Sequence, residues 1–137
     1  MEHERDIASG FDIHIGTEWL DLGPEEARAR ILVADHHKQP FGVAHGGVFA
    51  TLAESICSVA TNRAVAEDGM MAMGQSNDTS LLRPVDHGHL NALARSRHRG
   101  RTTWVWEVEV RDDDERLCAL TRLTMAVRPR PPERAAA

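Results

Sequence analysis

Apolar residues alternate with polar ones in several short stretches of this chain, and they switch to a helical spacing over one long run. From Phe11 to Leu22, the positions of Ile13, Ile15, Trp19, Leu20 and Leu22 predict extended chain, turned by Gly23-Pro24. Ala27 to Ala34 returns as a second strand. Pro40 and Gly42 then break the pattern before a run from Gly46 to about Glu67, which predicts one helix closed by the Asp68-Gly69 turn. Four strand-like stretches follow: Met71 to Leu82, His89 to His98, Thr102 to Arg111 and Leu117 to Val127. Arg83-Pro84, His87-Gly88 and Gly100 separate the first three, and Asp112-Asp113-Asp114-Glu115 reads as a solvated hairpin turn. Trp104, Trp106, Val108 and Val110 share one face of their strand and read as core. The order β-β-α-β-β-β-β predicts an α+β domain in which one long helix packs on an antiparallel sheet of five to six strands. Residues 1–128 form this single domain. The segment to about Ser9 reads as a short helix, and the Pro/Ala-rich tail 129–137 as disordered.

The long helix carries the chemistry. At about 100° per residue, Val48, Leu52, Ile56 and Val59 form one stripe, with Phe49, Ala53 and Ala60 beside it. Gly47, Thr51, Glu54, Ser58 and Thr61 gather on another. Between Gln39 and Asn62 there is no lysine or arginine and a single carboxylate, Glu54. A solvated face would carry more charge, so this narrow polar face reads as a buried ligand groove or a helix–helix seam. A lone carboxylate is costly to bury and usually has a partner or a task. It can serve as nucleophile or base, and a helix amino terminus, here entered through Gly46-Gly47, can bind a negatively charged oxygen. Together they point to acyl chemistry. Gly46 and Glu54 lie eight residues apart, roughly 12 Å along a helix, so one small reacting group cannot touch both in the same chain. Two such helices running antiparallel about a two-fold axis would form two composite sites, which makes an isologous dimer the expected active unit.

Composition narrows the setting. A net charge of −5 argues against a nucleic-acid partner. No apolar run approaches the roughly 18 residues of a membrane span. The charged start, Met1 to Asp6, leads into no signal-peptide core, so a cytoplasmic address without membrane attachment is expected. Cys57 and Cys118 have no pairing or metal-ligand spacing and read as small core residues. Asp35-His36-His37 and His87-x-His89 place no third ligand and read as polar turns rather than a metal site. Met70, Met71 and Met73 read as pliable packing near the helix end or a pocket wall. The one basic strip is Arg95, Arg97, His98, Arg99 and Arg101. Arg95, Arg97 and Arg99 alternate onto one strand face, as a solvated sheet surface or a phosphate site would require.

Gln39-Pro40-Phe41-Gly42-x-x-His45-Gly46-Gly47, followed by Leu52-Ala53-Glu54-Ser55 and Ser58, resembles the hotdog-fold thioesterases. The similarity is greatest to the branch holding 4-hydroxybenzoyl-CoA, 1,4-dihydroxy-2-naphthoyl-CoA and phenylacetate-degradation enzymes. Leu82-Arg83-Pro84, Gly100-Arg101, Trp104-x-Trp106, Arg116-Leu117-Cys118 and Thr121-Arg122-Leu123-Thr124 extend it over about residues 10 to 128. The resemblance implies a sheet wrapped around the helix, with protomers paired edge to edge and usually assembled into tetramers. It also implies hydrolysis of acyl-CoA thioesters with aryl or medium-sized acyl groups, with no cofactor beyond the CoA of the substrate. The Gly46 N–H would polarise the thioester carbonyl. Glu54 of the partner chain would attack that carbonyl or activate water, and Ser58 would position Glu54 or the water. Gln39 and His45 match positions that hold the carbonyl or the leaving thiolate. Gly47, Thr51 and Leu81 would line the substrate site, and Arg83, Arg97, Arg99 and Arg101 would meet CoA phosphates. Where naphthoyl-type enzymes carry a histidine this sequence has Leu81, which implies a more apolar ring pocket. The competing readings are a hotdog hydratase or dehydratase, which needs a histidine base, and a non-catalytic acyl-CoA binding module.

Overall fold

The computed structural model describes residues 10–132. The helix expected to about Ser9, and the part of the tail from 133 onward, lie outside the described residues. The described chain runs α1 (Gly10–Ile15), β1 (Thr17–Leu22), β2 (Glu26–Leu32), a 3-10 turn (Asp35–His37), α2 (Gly46–Val65), a second 3-10 turn (Ala66–Asp68), β3 (Met70–Leu81), β4 (His89–Arg99), β5 (Thr103–Arg111) and β6 (Leu117–Pro129). The strands form one antiparallel six-stranded sheet in the order β1-β2-β4-β5-β6-β3. None of the described helices is long and apolar enough to cross a membrane.

The sheet packs one face on α2. Phe49, Leu52, Ala53, Ile56, Cys57 and Ala60 of the helix are buried with Ile31, Leu90, Trp106, Val108, Leu123 and Met125 of the strands. Both free cysteines are buried, as small core residues should be. Trp104 and Trp106 are also buried, their ring centroids 6.0 Å apart.

Four expectations need correction. Phe11 to Ile15 is helical, not extended. Gly16 adopts φ 77°, and the buried His37 ring makes a 2.7 Å hydrogen bond to the Ile15 carbonyl, so α1 is ended by a left-handed residue and a distant side chain. His37 Nδ1 accepts from the Ala34 N–H at 2.9 Å, which leaves Nε2 as the donor to Ile15. His37 is therefore the buried residue of its turn and clasps the end of α1. Thr61 leaves the polar stripe for the core, where its hydroxyl accepts from Trp106 Nε1 at 2.9 Å and donates to the Cys57 carbonyl at 2.7 Å. In the acidic turn Asp112 is buried, not solvated, and accepts from the Asp114 N–H at 3.0 Å, the Arg116 N–H at 2.9 Å and Arg116 Nε at 2.7 Å. Finally, β6 runs two residues past the expected strand end at Val127, with Pro129 opposite Met70 and the Arg130 N–H donating to Gly69 O at 2.9 Å.

One edge of the sheet matters for the site. β3 is twelve residues long, terminal in the strand order and exposed from Met73 to Asp78. It covers part of α2 while leaving one side of its own backbone without a strand neighbour.

Candidate active site

The segment before α2 is a tight hairpin. Gly42 takes φ 83°, its N–H donates to Gln39 O at 2.9 Å, and the Gln39 N–H donates to Val43 O at 2.9 Å. The half-buried Gln39 turns its side-chain oxygen back onto the Phe41 N–H, which leaves Phe41 at the tip, 91% exposed. Two bonds dock the hairpin, from Ala44 N to Val85 O at 2.7 Å and from His45 N to His37 O at 2.8 Å. His45 is the N-cap of α2, and its Nδ1 accepts from the Gly47 N–H at 2.8 Å. A neutral ring with Nδ1 accepting carries its proton on Nε2, so the outward nitrogen is a donor. The Val48 N–H donates to His45 O at 2.9 Å. Of the first three amides of the helix, only that of Gly46 has no partner among the described residues. This amide sits at the positive end of a 20-residue helix.

Leu81, at the end of β3, lies against the α-carbon of Gly46. A Cβ on Gly46 would collide with its Cδ1, so glycine here lets an apolar side chain close over the helix start. Leu81 remains 57% exposed. A cleft of about 420 Å³ opens beside this point, between α1 (Phe11, His14, Ile15) and the start of α2 (His45, Gly47, Thr51).

Glu54 is exposed two turns further along α2 and faces β3. Sequence reasoning missed its neighbours there. Asn77 Nδ2 donates to Ala50 O at 3.0 Å and to Glu54 Oε1 at 3.4 Å. A Cβ on Gly74 would stand 3.0 Å from Glu54 Cδ and 3.2 Å from Oε2, so the carboxylate rests on bare strand backbone. The strand is bulged between Gly74 and Ser76, which re-aims the residues at this spot. A glycine and an asparagine on a strand carry no sequence signal that links them to a helix residue twenty or more positions earlier. Ser58 is half-buried one turn beyond Glu54 and its carbonyl accepts from Asn62 at 2.8 Å.

The structure therefore groups Gln39, His45, Gly46, Gly47, Thr51 and Leu81 at one end of α2, and Glu54 with Ser58 further along. The arginines divide differently. A bulge between Ser96 and His98 puts Arg99 opposite the buried Trp104, while Arg95 stands opposite the outward Glu107. The three alternating arginines thus do not share one face. Arg97 pairs with Glu107 at 2.9 Å and Arg99 with Glu25 at 3.4 Å. Arg83 and Arg101 are exposed, with no carboxylate partner among the described residues. A hollow of about 300 Å³ on the outer face of the sheet is lined by Asp78, Arg95, Arg97, Glu107 and Arg122 among others. It is charge-balanced, with Asp78, Glu107 and Glu109 against Arg95, Arg97 and Arg122, and none of its lining residues belongs to α2.

A long helix held against a six-stranded antiparallel sheet is the hotdog arrangement. Residues 41–119 match the thioesterase superfamily, and the chain belongs to it. The proofreading thioesterase EntH of Cronobacter turicensis is 34% identical over 114 residues, covering 83% of this chain and 82% of its own. A thioesterase of Haemophilus influenzae superposes with a TM-score of 0.85 at 34% identity, over 91% of this chain and 87% of its own. A mutant thioesterase of Pseudomonas aeruginosa gives a TM-score of 0.87 at 31% identity, over 93% of this chain and 92% of its own.

Proposed function

We propose that this protein hydrolyses acyl-CoA thioesters with aryl or medium-sized acyl groups, at composite sites built by two copies of the chain and without a cofactor. The observation that carries the reading is the Gly46 N–H at the head of α2, without a partner among the described residues, with Glu54 exposed on the same helix but beyond the reach of the same carbonyl. The edge position of β3 supports a dimer. Leu81 marks the Gly46 end and Gly74 the Glu54 end, on either side of Asn77. Antiparallel pairing of the free β3 edges, centred near Asn77, would bring the Gly46 end of one protomer beside the Glu54 end of the other.

In this reading the carbonyl oxygen takes its hydrogen bond from Gly46, and Glu54 of the other protomer acts as nucleophile or general base. As nucleophile it forms a mixed anhydride and expels the CoA thiolate, and water then cleaves the anhydride. Ser58 orients Glu54 or that water. Gln39 and the outward Nε2–H of His45 hold the carbonyl or the thiolate. Gly47, Thr51 and Leu81 line the acyl end. Of the four arginines expected at the CoA phosphates, Arg83 and Arg101 have no carboxylate partner among the described residues, whereas Arg97 and Arg99 must first leave Glu107 and Glu25. The hydratase reading needs a histidine base beside the acid, and His45 presents a donor instead.

The test is free-thiol release from benzoyl-, hydroxybenzoyl-, phenylacetyl-, naphthoyl- and straight-chain acyl-CoA, with wild type beside Glu54→Ala. Turnover that collapses in a folded, assembled mutant is the expected result. Stoichiometric ligand retention without turnover would instead identify a binding module, and water addition to an enoyl thioester a hydratase.

A further inference from the structure

We propose that Asn77 is a positioning residue for Glu54, oriented by a directed hydrogen-bond chain that starts inside the sheet at Thr121. The inference rests on the reading of Glu54 as the catalytic carboxylate and names what aims it.

The direction of the chain follows from proton counting. Thr79 Oγ1 donates to Asn77 Oδ1 at 2.7 Å and lies 2.7 Å from Thr121 Oγ1. A hydroxyl has one proton to give. Thr79 spends its proton on Asn77, so Thr121, which is buried, must donate to Thr79. With Oδ1 thus occupied, Asn77 can present only its NH₂ to the helix, where one N–H meets Ala50 O at 3.0 Å and the other Glu54 Oε1 at 3.4 Å. The flipped amide would lose the bond from Thr79 and set its oxygen against a carbonyl and a carboxylate.

The two targets lie four residues apart on one helix face, so a single amide fixes the carboxylate relative to the backbone of its own turn. Gly74 completes the support, because its missing side chain lets Cδ and Oε2 settle against the strand. Oε1 is held by Asn77, and Oε2 has no hydrogen-bond donor among the described residues. One oxygen is restrained and the other is available, as an attacking or proton-accepting carboxylate requires. The 3.4 Å bond is long, and long catalytic contacts tighten when substrate closes the site. Because Asn77 sits on the free edge strand, the same segment that would pair two protomers also aims the acid.

The test measures thiol-release kcat and KM for Asn77→Ala, Asn77→Asp, Thr79→Val, Thr79→Ser and the double variant Asn77→Ala/Thr79→Val. The expected loss in kcat for Asn77→Ala is on the order of 10- to 100-fold, with KM changed less than about twofold. Asn77→Asp, which sets a like charge beside Glu54, should lose at least as much. Thr79→Val should lower kcat although Asn77 is intact, and Thr79→Ser should restore it. The double variant should be no slower than Asn77→Ala, since Thr79 acts through Asn77. In parallel, the ¹³C resonance of the Glu54 carboxyl should move in Asn77→Ala and Thr79→Val but not in Thr79→Ser, a readout that needs no substrate. A kcat for Asn77→Ala within about twofold of wild type, losses that multiply in the double variant, or an unmoved Glu54 resonance would overturn the proposal. Absence of turnover by wild type on every thioester would instead remove the catalytic reading of Glu54, and the resonance would still report whether Asn77 holds it.

Discussion

At the scale of single residues, small side chains set the shape of the site. Gly74 is bare where Glu54 needs space, and its backbone conformation is one that alanine can adopt, so Gly74→Ala tests space rather than strain. The added Cβ would press on Cδ and Oε2. The expected result is a folded protein whose kcat falls on the order of 10- to 100-fold, checked by thiol release beside circular dichroism. Thr61 acts on stability instead. Thr61→Val keeps the volume but leaves the Trp106 N–H buried without an acceptor, at a cost of about 1–3 kcal/mol in urea unfolding. Neither role was legible in the sequence. Helical periodicity assigned Thr61 to the polar stripe, and only the indole across the core makes that position apolar in its surroundings yet polar in its bond.

At the scale of elements, the β5–β6 turn and the start of β4 are joined by carboxylates. Asp113 accepts from Asn91 Nδ2 at 3.0 Å and from the His89 ring and N–H at 3.1 Å, and these bonds hold its carboxyl down to about 2. For Asp112, burial pushes upward, but the N–H and guanidinium of Arg116 and the Asp114 N–H outweigh it and leave the group below the ordinary carboxylate range. Both folded values lie below the unfolded one of about 3.9. Their stabilisation is thus complete above about pH 4 and is lost as pH falls through the folded values. Asp113→Asn should therefore lower the urea midpoint most at pH 6, and the gap from wild type should shrink towards pH 2. A gap that stays constant between these pH values would show that ionisation is not what Asp113 contributes. The outer face of the sheet also carries a row of alternating charge. Glu26 stands opposite Arg95, Arg95 opposite Glu107, Glu107 opposite Arg122, and Arg122 opposite Asp78. A row so arranged neutralises itself, which explains how a basic strip in the sequence becomes a balanced surface in the fold.

At the scale of the whole molecule, the proposed reading assigns the helix start and the acid to different halves of a site. If two protomers complete each other, mixing His45→Ala with Glu54→Ala should regenerate activity from two inactive proteins. Random exchange makes half the dimers mixed, and each mixed dimer holds one intact site of two, so about a quarter of wild-type activity is expected. The check is thiol release before and after the two are unfolded and refolded together. A mixture that stays inactive would place both groups in one chain's site. Sedimentation of the wild type should show a dimer or a dimer of dimers, as the free twelve-residue edge of β3 invites.

The sequence by itself determined the helix at Gly46, its closing turn at Gly69, the lone Glu54 and the succession of strands. These rest on short-range rules of periodicity, capping and turn chemistry that neighbouring residues satisfy among themselves. Only the tertiary structure decided that Phe11 to Ile15 is a helix, since His37 binds its last carbonyl from twenty-two residues away. The same holds for the arginines, which are sorted by a bulge in β4, and for Glu54, which is met by Gly74 and Asn77 through a second bulge in β3. Register and burial arise between segments distant in the chain, and a one-residue bulge changes which side chains meet without altering the local pattern from which each strand is read.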